Sequence, residues 1–79
     1  MDEAIQHRLT GIFRTVLDEP DLQLTRDMTA ADVPAWDSLS HITLIVAVER
    51  EFGIRFTTAE VAALMNVGEL ADLVQKKLS

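Results

Sequence analysis

Apolar residues recur at helical spacing in three stretches of this 79-residue chain, and turn-forming residues separate those stretches. In the first stretch Ile5, Leu9, Ile12 and Val16 follow one another at intervals of three or four. This spacing places side chains on one face of an α-helix, whereas a half-buried strand needs strict alternation, which no segment shows convincingly. We therefore expect an all-α fold, and the length predicts one domain over residues 1–79.

The pattern predicts a four-helix bundle with three long helices and one short helix. The first helix runs from about Asp2 to Leu17, and a long loop from Asp18 to Trp36 follows it. The second helix covers Ser38 to Phe52, with Asp37 as its N-cap. A short helix in "TTAEVAAL" and a last helix in "NVGELADLVQKKL" complete the bundle. Because a loop that leads to a helix start often carries function, the region around Ser38 is the first candidate site.

Helix ends and one glycine give further local predictions. Gly53 is expected in the left-handed conformation after the second helix, with Ile54 folding back on the last turn. Asn66 should cap the last helix, with Glu69 completing an arrangement close to a capping box. Gly11 lowers the propensity of the first helix by about 1 kcal/mol relative to alanine, so packing must offset that loss.

Charge and composition narrow the classes of partner. Seven basic and 13 acidic residues give a net charge of −6, which argues against nucleic acid and suits enzymes with basic docking patches. No cysteine is present, so disulfides and thiolate metal sites are excluded, and we expect no metal site. The opening "MDEAIQHRL" lacks the order of a signal peptide, and "LIVAV" is too short to span a bilayer. We expect a cytoplasmic monomer without a membrane span.

The second helix has two apolar faces when its residues are placed at 100° steps. One face is expected to meet the core: Leu44, Ile45, Val48 and Phe52. Leu39, Ile42 and Val46 lie nearly opposite, and we call them the exposed patch. Since a small bundle cannot bury both sides, this patch is expected to be a contact site; the alternative is that the long loop covers it.

Trp36 and His41 occupy the positions of a hydrophobic staple around the start of the second helix. We therefore predict that the two side chains are in contact. Since His41 projects toward the core side, we interpret it as a packing residue and not as a ligand or a base.

Three interpretations of Ser38 compete. A hydrolase nucleophile is disfavoured, because adjacent Asp37 and Ser38 cannot relay through an inward-pointing His41 and no oxyanion pocket is evident. Alternatively, Ser38 is an ordinary helix-start residue. The third interpretation is covalent attachment of a phosphate-linked group, which would lie beside free backbone N–H groups at the helix N-terminus. Asp37 would then serve as a recognition element for the attaching enzyme, or as a ligand for its metal, as well as a cap.

The stretch "WDSLSHITLIVAVEREFGI" resembles the acyl carrier proteins, in which a D-S-L motif opens the second helix. The resemblance covers the whole chain, from the first helix to "NVGELADLV". It implies that Ser38 carries 4′-phosphopantetheine, transferred from coenzyme A by a phosphopantetheinyl transferase with Mg²⁺. The arm would end in a thiol that holds acyl groups as thioesters, and the protein would be a shuttle without catalytic residues of its own.

The resemblance also assigns roles to other positions. Asp37 and Leu39 match positions that the transferase recognises. Partner enzymes would dock on six residues: Trp36, Leu39, Ile42, Val46, Glu49 and Glu51. Six apolar residues match the lining of an acyl cleft: Leu44, Val48, Phe56, Leu64, Leu70 and Leu73.

Three departures from the family pattern bear on the pathway. Thr43 and Arg50 stand where carriers of fatty acid synthesis usually have acidic residues, and Trp36 is not typical of the housekeeping protein. We therefore expect a specialised polyketide, lipid or natural-product pathway. The alternatives are an aminoacyl carrier, of the kind that loads D-alanine or another amino acid, and an unmodified helical interaction module.

Overall fold

The computed structural model describes residues 3–79, and four α-helices account for most of them. They are α1 (Glu3–Val16), α2 (Ser38–Phe52), α3 (Thr58–Ala63) and α4 (Val67–Leu78). The predicted all-α fold with three long helices and one short helix is confirmed. The long loop contains one 3-10 turn, Ala30–Asp32. The predicted start of the first helix at Asp2 lies outside the described residues, and α1 ends one residue before the predicted Leu17.

The core lies between α1, α2 and α4. The largest side chains with less than 2% exposure come from these three helices: Leu9, Phe13, Leu44, Val48, Val67 and Val74. Full burial of one such aliphatic or aromatic side chain stabilises a fold by roughly 1.5–3 kcal/mol. The core face predicted for α2 is confirmed, since all four of its residues are buried. None of the helices within residues 3–79 is long and apolar enough to cross a membrane.

The long loop is held to the start of α4 by backbone hydrogen bonds. The N–H of Val67 donates to the carbonyl of Met28 (2.9 Å), and the N–H of Gly68 donates to the carbonyl of Arg26 (2.8 Å). The Arg26 guanidinium also forms a two-pronged ion pair with Asp72, with N···O distances of 2.7 and 3.1 Å. A Cβ atom at Gly68 would lie 2.9 Å from the Arg26 carbonyl oxygen, so this close approach requires glycine.

The predicted end of α2 is confirmed. Gly53 has a φ of 66°, in the left-handed region that glycine adopts without strain. The N–H of Ile54 then donates to the carbonyl of Glu49 over 3.1 Å, which folds the chain back on the last turn. This turn directs the chain toward α3.

One other local prediction needs correction. Asn66 caps α4 by accepting from the N–H of Glu69 (2.8 Å), but the Glu69 carboxylate accepts from Met65 and not from Asn66, so the capping box is incomplete. A complete box begins α3 instead, between Thr57 and Glu60. At Gly11 a Cβ atom would meet nothing within 4 Å, so no close approach requires glycine there, and α1 packs on the core through Ile5, Leu9 and Phe13.

Candidate functional site

Ser38 is the first residue of α2, and its side chain is exposed. The preceding Asp37 caps the helix: its Oδ1 accepts from the backbone N–H of Leu39 (3.1 Å) and of Ser40 (2.9 Å). These bonds satisfy donors that have no partner within the helix. The backbone around Ser38 is therefore fixed, while its hydroxyl remains accessible to an enzyme.

Ser40 completes this arrangement, and the sequence analysis assigned it no role. Its Oγ accepts from the backbone N–H of Asp37 (2.8 Å) and donates to the carbonyl of Ala35 (2.8 Å). The sequence contains a signal for this role: the serine stands three residues after the N-cap aspartate. In a capping box the side chain at that position accepts from the backbone N–H of the N-cap residue. Ser40 thus ties the end of the long loop to the first turn of α2.

The pKa of the Asp37 carboxyl is lowered from its ordinary value. The largest cause is the hydrogen bond from the backbone N–H of Ser40, followed by the bond with the Ser40 side chain. Hydrogen bonds to a carboxylate favour its charged form, so Asp37 is ionised beside Ser38 at neutral pH.

The predicted contact between Trp36 and His41 is confirmed. The indole Nε1–H donates to Nδ1 of His41 over 3.2 Å, and the two ring planes are 25° apart. Phe13 meets the indole edge-on with a centroid distance of 5.2 Å. Because Nδ1 of His41 accepts from Trp36, His41 does not form the aspartate–histidine–serine relay of a hydrolase.

Trp36 lies in the core, contrary to its prediction as a docking residue. Its side chain is only 7% exposed, since Phe13 and His41 pack against it. The indole therefore presents little surface to a partner. Its packing holds the end of the long loop against the core.

A hollow of about 520 Å³ lies beside Ser38, and we call it the Ser38 hollow. Ser38, His41 and Trp36 line one side of it. Residues from α3 and the segment after it line the other side: Val61, Ala62, Leu64 and Met65. A group attached to Ser38 would find apolar walls and one imidazole ring here.

The exposed patch on α2 is present, and the long loop does not cover it. Leu39 is 77% exposed, Ile42 61% and Val46 42%. Ile42 and Val46 also border a groove of about 860 Å³ between α1 and α2, whose α1 side includes Ile12 and Gly11. Gly11 lines this groove, and a Cβ atom added there would meet nothing within 4 Å.

The two acidic residues predicted to dock partners also form bonds within the chain. Glu49 is half-buried, and its carboxylate accepts from the backbone N–H of Phe56 (2.8 Å). Glu51 accepts from Arg8 over 2.8 Å, and that guanidinium lies over the Phe52 ring. Arg50 is exposed on the same helix, so the predicted docking face is not uniformly acidic.

The structure does not gather the six predicted cleft residues around one cavity. Leu44, Val48 and Leu70 are buried in the packed core. Leu64 borders the Ser38 hollow and, with Leu73, a second hollow between α3 and α4. Phe56 is half-buried, under the ammonium group of Lys77.

Comparison with known proteins agrees with this geometry. The family model described as a phosphopantetheine attachment site matches residues 7–74. An acyl carrier protein of Thermotoga maritima is 28% identical over 76 residues, covering 96% of this chain and 94% of that relative. One from Buchnera aphidicola is 32% identical over 73 residues, covering 92% of this chain and 91% of that relative.

Two solved structures share the fold. A holo acyl carrier protein from Geobacter metallireducens superimposes with a TM-score of 0.88 and 51% identity, covering 94% of this chain and 85% of that chain. A structure from Mycobacterium tuberculosis has a TM-score of 0.83 at 22% identity, covering 91% of this chain and 96% of that chain, and this likeness shows the fold alone.

The chain belongs to the phosphopantetheine attachment site family. Within that class it is an acyl carrier protein, whose cofactor is a covalently attached 4′-phosphopantetheine. The exposed hydroxyl of Ser38 at the start of α2 fits such a group, because attachment there displaces no side chain from the core.

Proposed function

We propose that Ser38 is the attachment residue and that the protein carries acyl groups as thioesters on the 4′-phosphopantetheine arm, moving them between partner enzymes in the cytoplasm. The observation that carries this proposal is the exposed Ser38 hydroxyl on a first helical turn fixed by Asp37 and Ser40. A fixed backbone with a free hydroxyl suits a substrate of an attaching enzyme, since that enzyme need not order the segment first.

Attachment would transfer the phosphopantetheine group from the pyrophosphate of coenzyme A to the serine hydroxyl. The Ser38 Oγ attacks the phosphorus of coenzyme A that bears the pantetheine half, and the bond to the second phosphate breaks. The Oγ proton passes to a base of the transferase, and the adenosine bisphosphate half leaves. Mg²⁺ on the transferase would neutralise the pyrophosphate charge. Asp37 and Leu39 flank the hydroxyl, and we propose that the transferase recognises both.

Partner enzymes are proposed to dock on the exposed patch together with Glu49 and Glu51. Burial of three apolar side chains at the middle of an interface supplies affinity, and charged groups around them set orientation. The internal bonds of Glu49 and Glu51 leave each carboxylate with further acceptor capacity for a partner's lysine or arginine.

We propose a specialised pathway over general fatty acid synthesis. The support is the surface of α2, where Thr43 and Arg50 are both exposed beside the patch. A cation at Arg50 would repel a docking site built only from basic residues, so the cognate enzymes should carry an acidic group opposite it.

Intact-mass measurement tests the attachment. The protein is incubated with coenzyme A, Mg²⁺ and a broad-specificity phosphopantetheinyl transferase, alongside Ser38→Ala and the control Ser79→Ala. We expect a gain of one phosphopantetheine in the wild type and the control only. Gain by Ser38→Ala would place the attachment at another residue, and no gain by any form would favour an unmodified interaction module.

Loading of the holo protein then tests the cargo class. Acyl-transferring and aminoacyl-loading enzymes encoded beside the gene are offered in turn, and thioester formation is followed by mass. Acyl thioester formation supports the proposal. Loading by an amino-acid-activating enzyme alone would make the protein an aminoacyl carrier.

A further inference from the structure

The hydrogen bond between Trp36 and His41 fixes which nitrogen of the imidazole carries a proton. An indole N–H only donates, so Nδ1 of His41 must present its lone pair at the observed 3.2 Å. The neutral ring then carries its proton on Nε2. Trp36 is held in turn by the edge-on contact with Phe13 in the core. The orientation of the His41 ring is thus set by a chain of contacts that begins on α1.

Nε2 lies across the ring from the bond to Trp36, and His41 borders the Ser38 hollow. His41 follows Ser38 by three residues on α2, a spacing at which side chains are neighbours, with Cβ atoms about 5–6 Å apart. A group attached to the Ser38 hydroxyl therefore starts about one helical turn from an imidazole whose free N–H is on Nε2.

Resting on the proposed attachment at Ser38, we propose that the Nε2–H of His41 donates a hydrogen bond to the phosphodiester of the arm and directs the arm into the Ser38 hollow. A hydrogen-bond donor at this position would reduce the electrostatic cost of the attached phosphodiester. The ionised Asp37 directly precedes Ser38, and a charged phosphodiester beside a carboxylate is repelled. An N–H donor aimed at the phosphate offsets that repulsion, since bonds to charged acceptors are the strong ones.

The role assigned to Trp36 is that of a positioning residue, because it acts only through His41. Without the indole N–H, the imidazole could place its proton on either nitrogen and turn about its side-chain bonds. The arm would then leave the Ser38 hollow, lined on its far side by Val61, Leu64 and Met65, and sample solvent.

Nuclear magnetic resonance of the imidazole nitrogens tests the proposal on the intact protein. The ¹⁵N-labelled apo protein is converted to the holo form, conversion is checked by mass, and long-range ¹H–¹⁵N spectra are recorded before and after. The chain contains two histidines, so His7, exposed on α1, is the internal control. We expect the protonated-Nε2 form of His41 in both states and a shift of its Nε2 resonance on conversion, with His7 unchanged.

Phosphorus resonance of the holo variants provides the second readout. We expect Trp36→Phe and His41→Leu to move the ³¹P signal toward that of the urea-unfolded holo protein, and His41→Gln, which keeps an N–H donor, to move it less. A packing role alone for His41 would leave the ³¹P signal in place.

The outcomes separate the two proposals. Complete conversion by mass, with the His41 Nε2 resonance moving no more than that of His7, overturns the role of His41 and leaves the attachment at Ser38 standing. Conversion that persists in Ser38→Ala overturns the attachment residue, and this inference with it.

Discussion

At the scale of single residues, the side chains that stabilise the first turn of α2 are distinct from the one that exposes a free hydroxyl. Asp37 and Ser40 supply the hydrogen bonds that begin the helix, while the neighbouring Ser38 contributes an exposed hydroxyl. Substitutions at adjacent positions should therefore have unrelated effects.

Replacement of Ser38 by alanine should leave the fold unchanged. An exposed first-turn residue outside the capping bonds contributes little, so we expect the free energy of unfolding in urea to stay within about 0.5 kcal/mol of the wild type. Modification by the transferase should be lost. A variant that unfolds at markedly lower urea would show that the hydroxyl has a structural partner.

The capping role of Asp37 predicts a pH dependence of stability. Its pKa is lowered in the folded state, so its stabilisation is fully present above the ordinary value of 3.8 and is lost as the pH falls through the lower folded pKa. Asp37→Asn keeps a capping oxygen but cannot ionise. The melting temperatures of the wild type and of Asp37→Asn should converge as the pH falls through this acidic window. A difference in melting temperature that stays constant would show that the charge of Asp37 does not contribute to stability.

Loss of the cap itself should be visible at neutral pH. We expect Asp37→Ala to lower the melting temperature by about 4–8 °C, the usual effect of removing a capping side chain in a domain of this size. It should also slow modification of Ser38. An unchanged melting temperature would contradict the capping role.

At the scale of whole elements, two glycines on helices have opposite significance. Gly68 at the start of α4 allows the loop backbone to approach, whereas Gly11 in α1 faces open space. The same substitution at the two positions is therefore a matched comparison.

Gly68→Ala should destabilise the protein and Gly11→Ala should stabilise it. A methyl group at residue 68 would lie 2.9 Å from the Arg26 carbonyl oxygen, and forcing that contact apart costs about 1–3 kcal/mol. At residue 11 alanine gains about 1 kcal/mol of helix propensity. Urea unfolding measures both, and equal effects at the two sites would contradict the described packing of the loop on α4.

At the scale of the whole molecule, one side of α2 closes the core and the other exposes apolar side chains. Leu39 is the most exposed residue of the exposed patch, next to Ser38. Leu78, on α4, is an exposed leucine away from the site and serves as its control.

Leu39→Ala should slow the transferase without loosening the fold. Truncation of an interface anchor typically costs about 1 kcal/mol or more, so we expect kcat/KM for modification to fall about fivefold or further. Leu78→Ala should leave it unchanged. Equal kcat/KM values for the two variants would show that the transferase does not recognise Leu39.

Local patterns accounted for most of the fold and of the site. The ends of α2, its buried and exposed faces and the contact of Trp36 with His41 all follow from residues close together in sequence. The burial of Trp36 was missed because it depends on Phe13, far along the chain. The bonds of the loop to α4 were missed because they join backbone groups, which every residue except proline offers alike.

The attachment of the loop to α4 has a consequence for the order of events in synthesis. The carbonyls of Arg26 and Met28 accept from the N–H groups of Gly68 and Val67, at the start of α4. A nascent chain that still holds α4 within the ribosome cannot form these bonds, so the segment leading to Ser38 should remain loose until α4 has emerged. The attaching enzyme would then meet its folded target only after α4 has been synthesised.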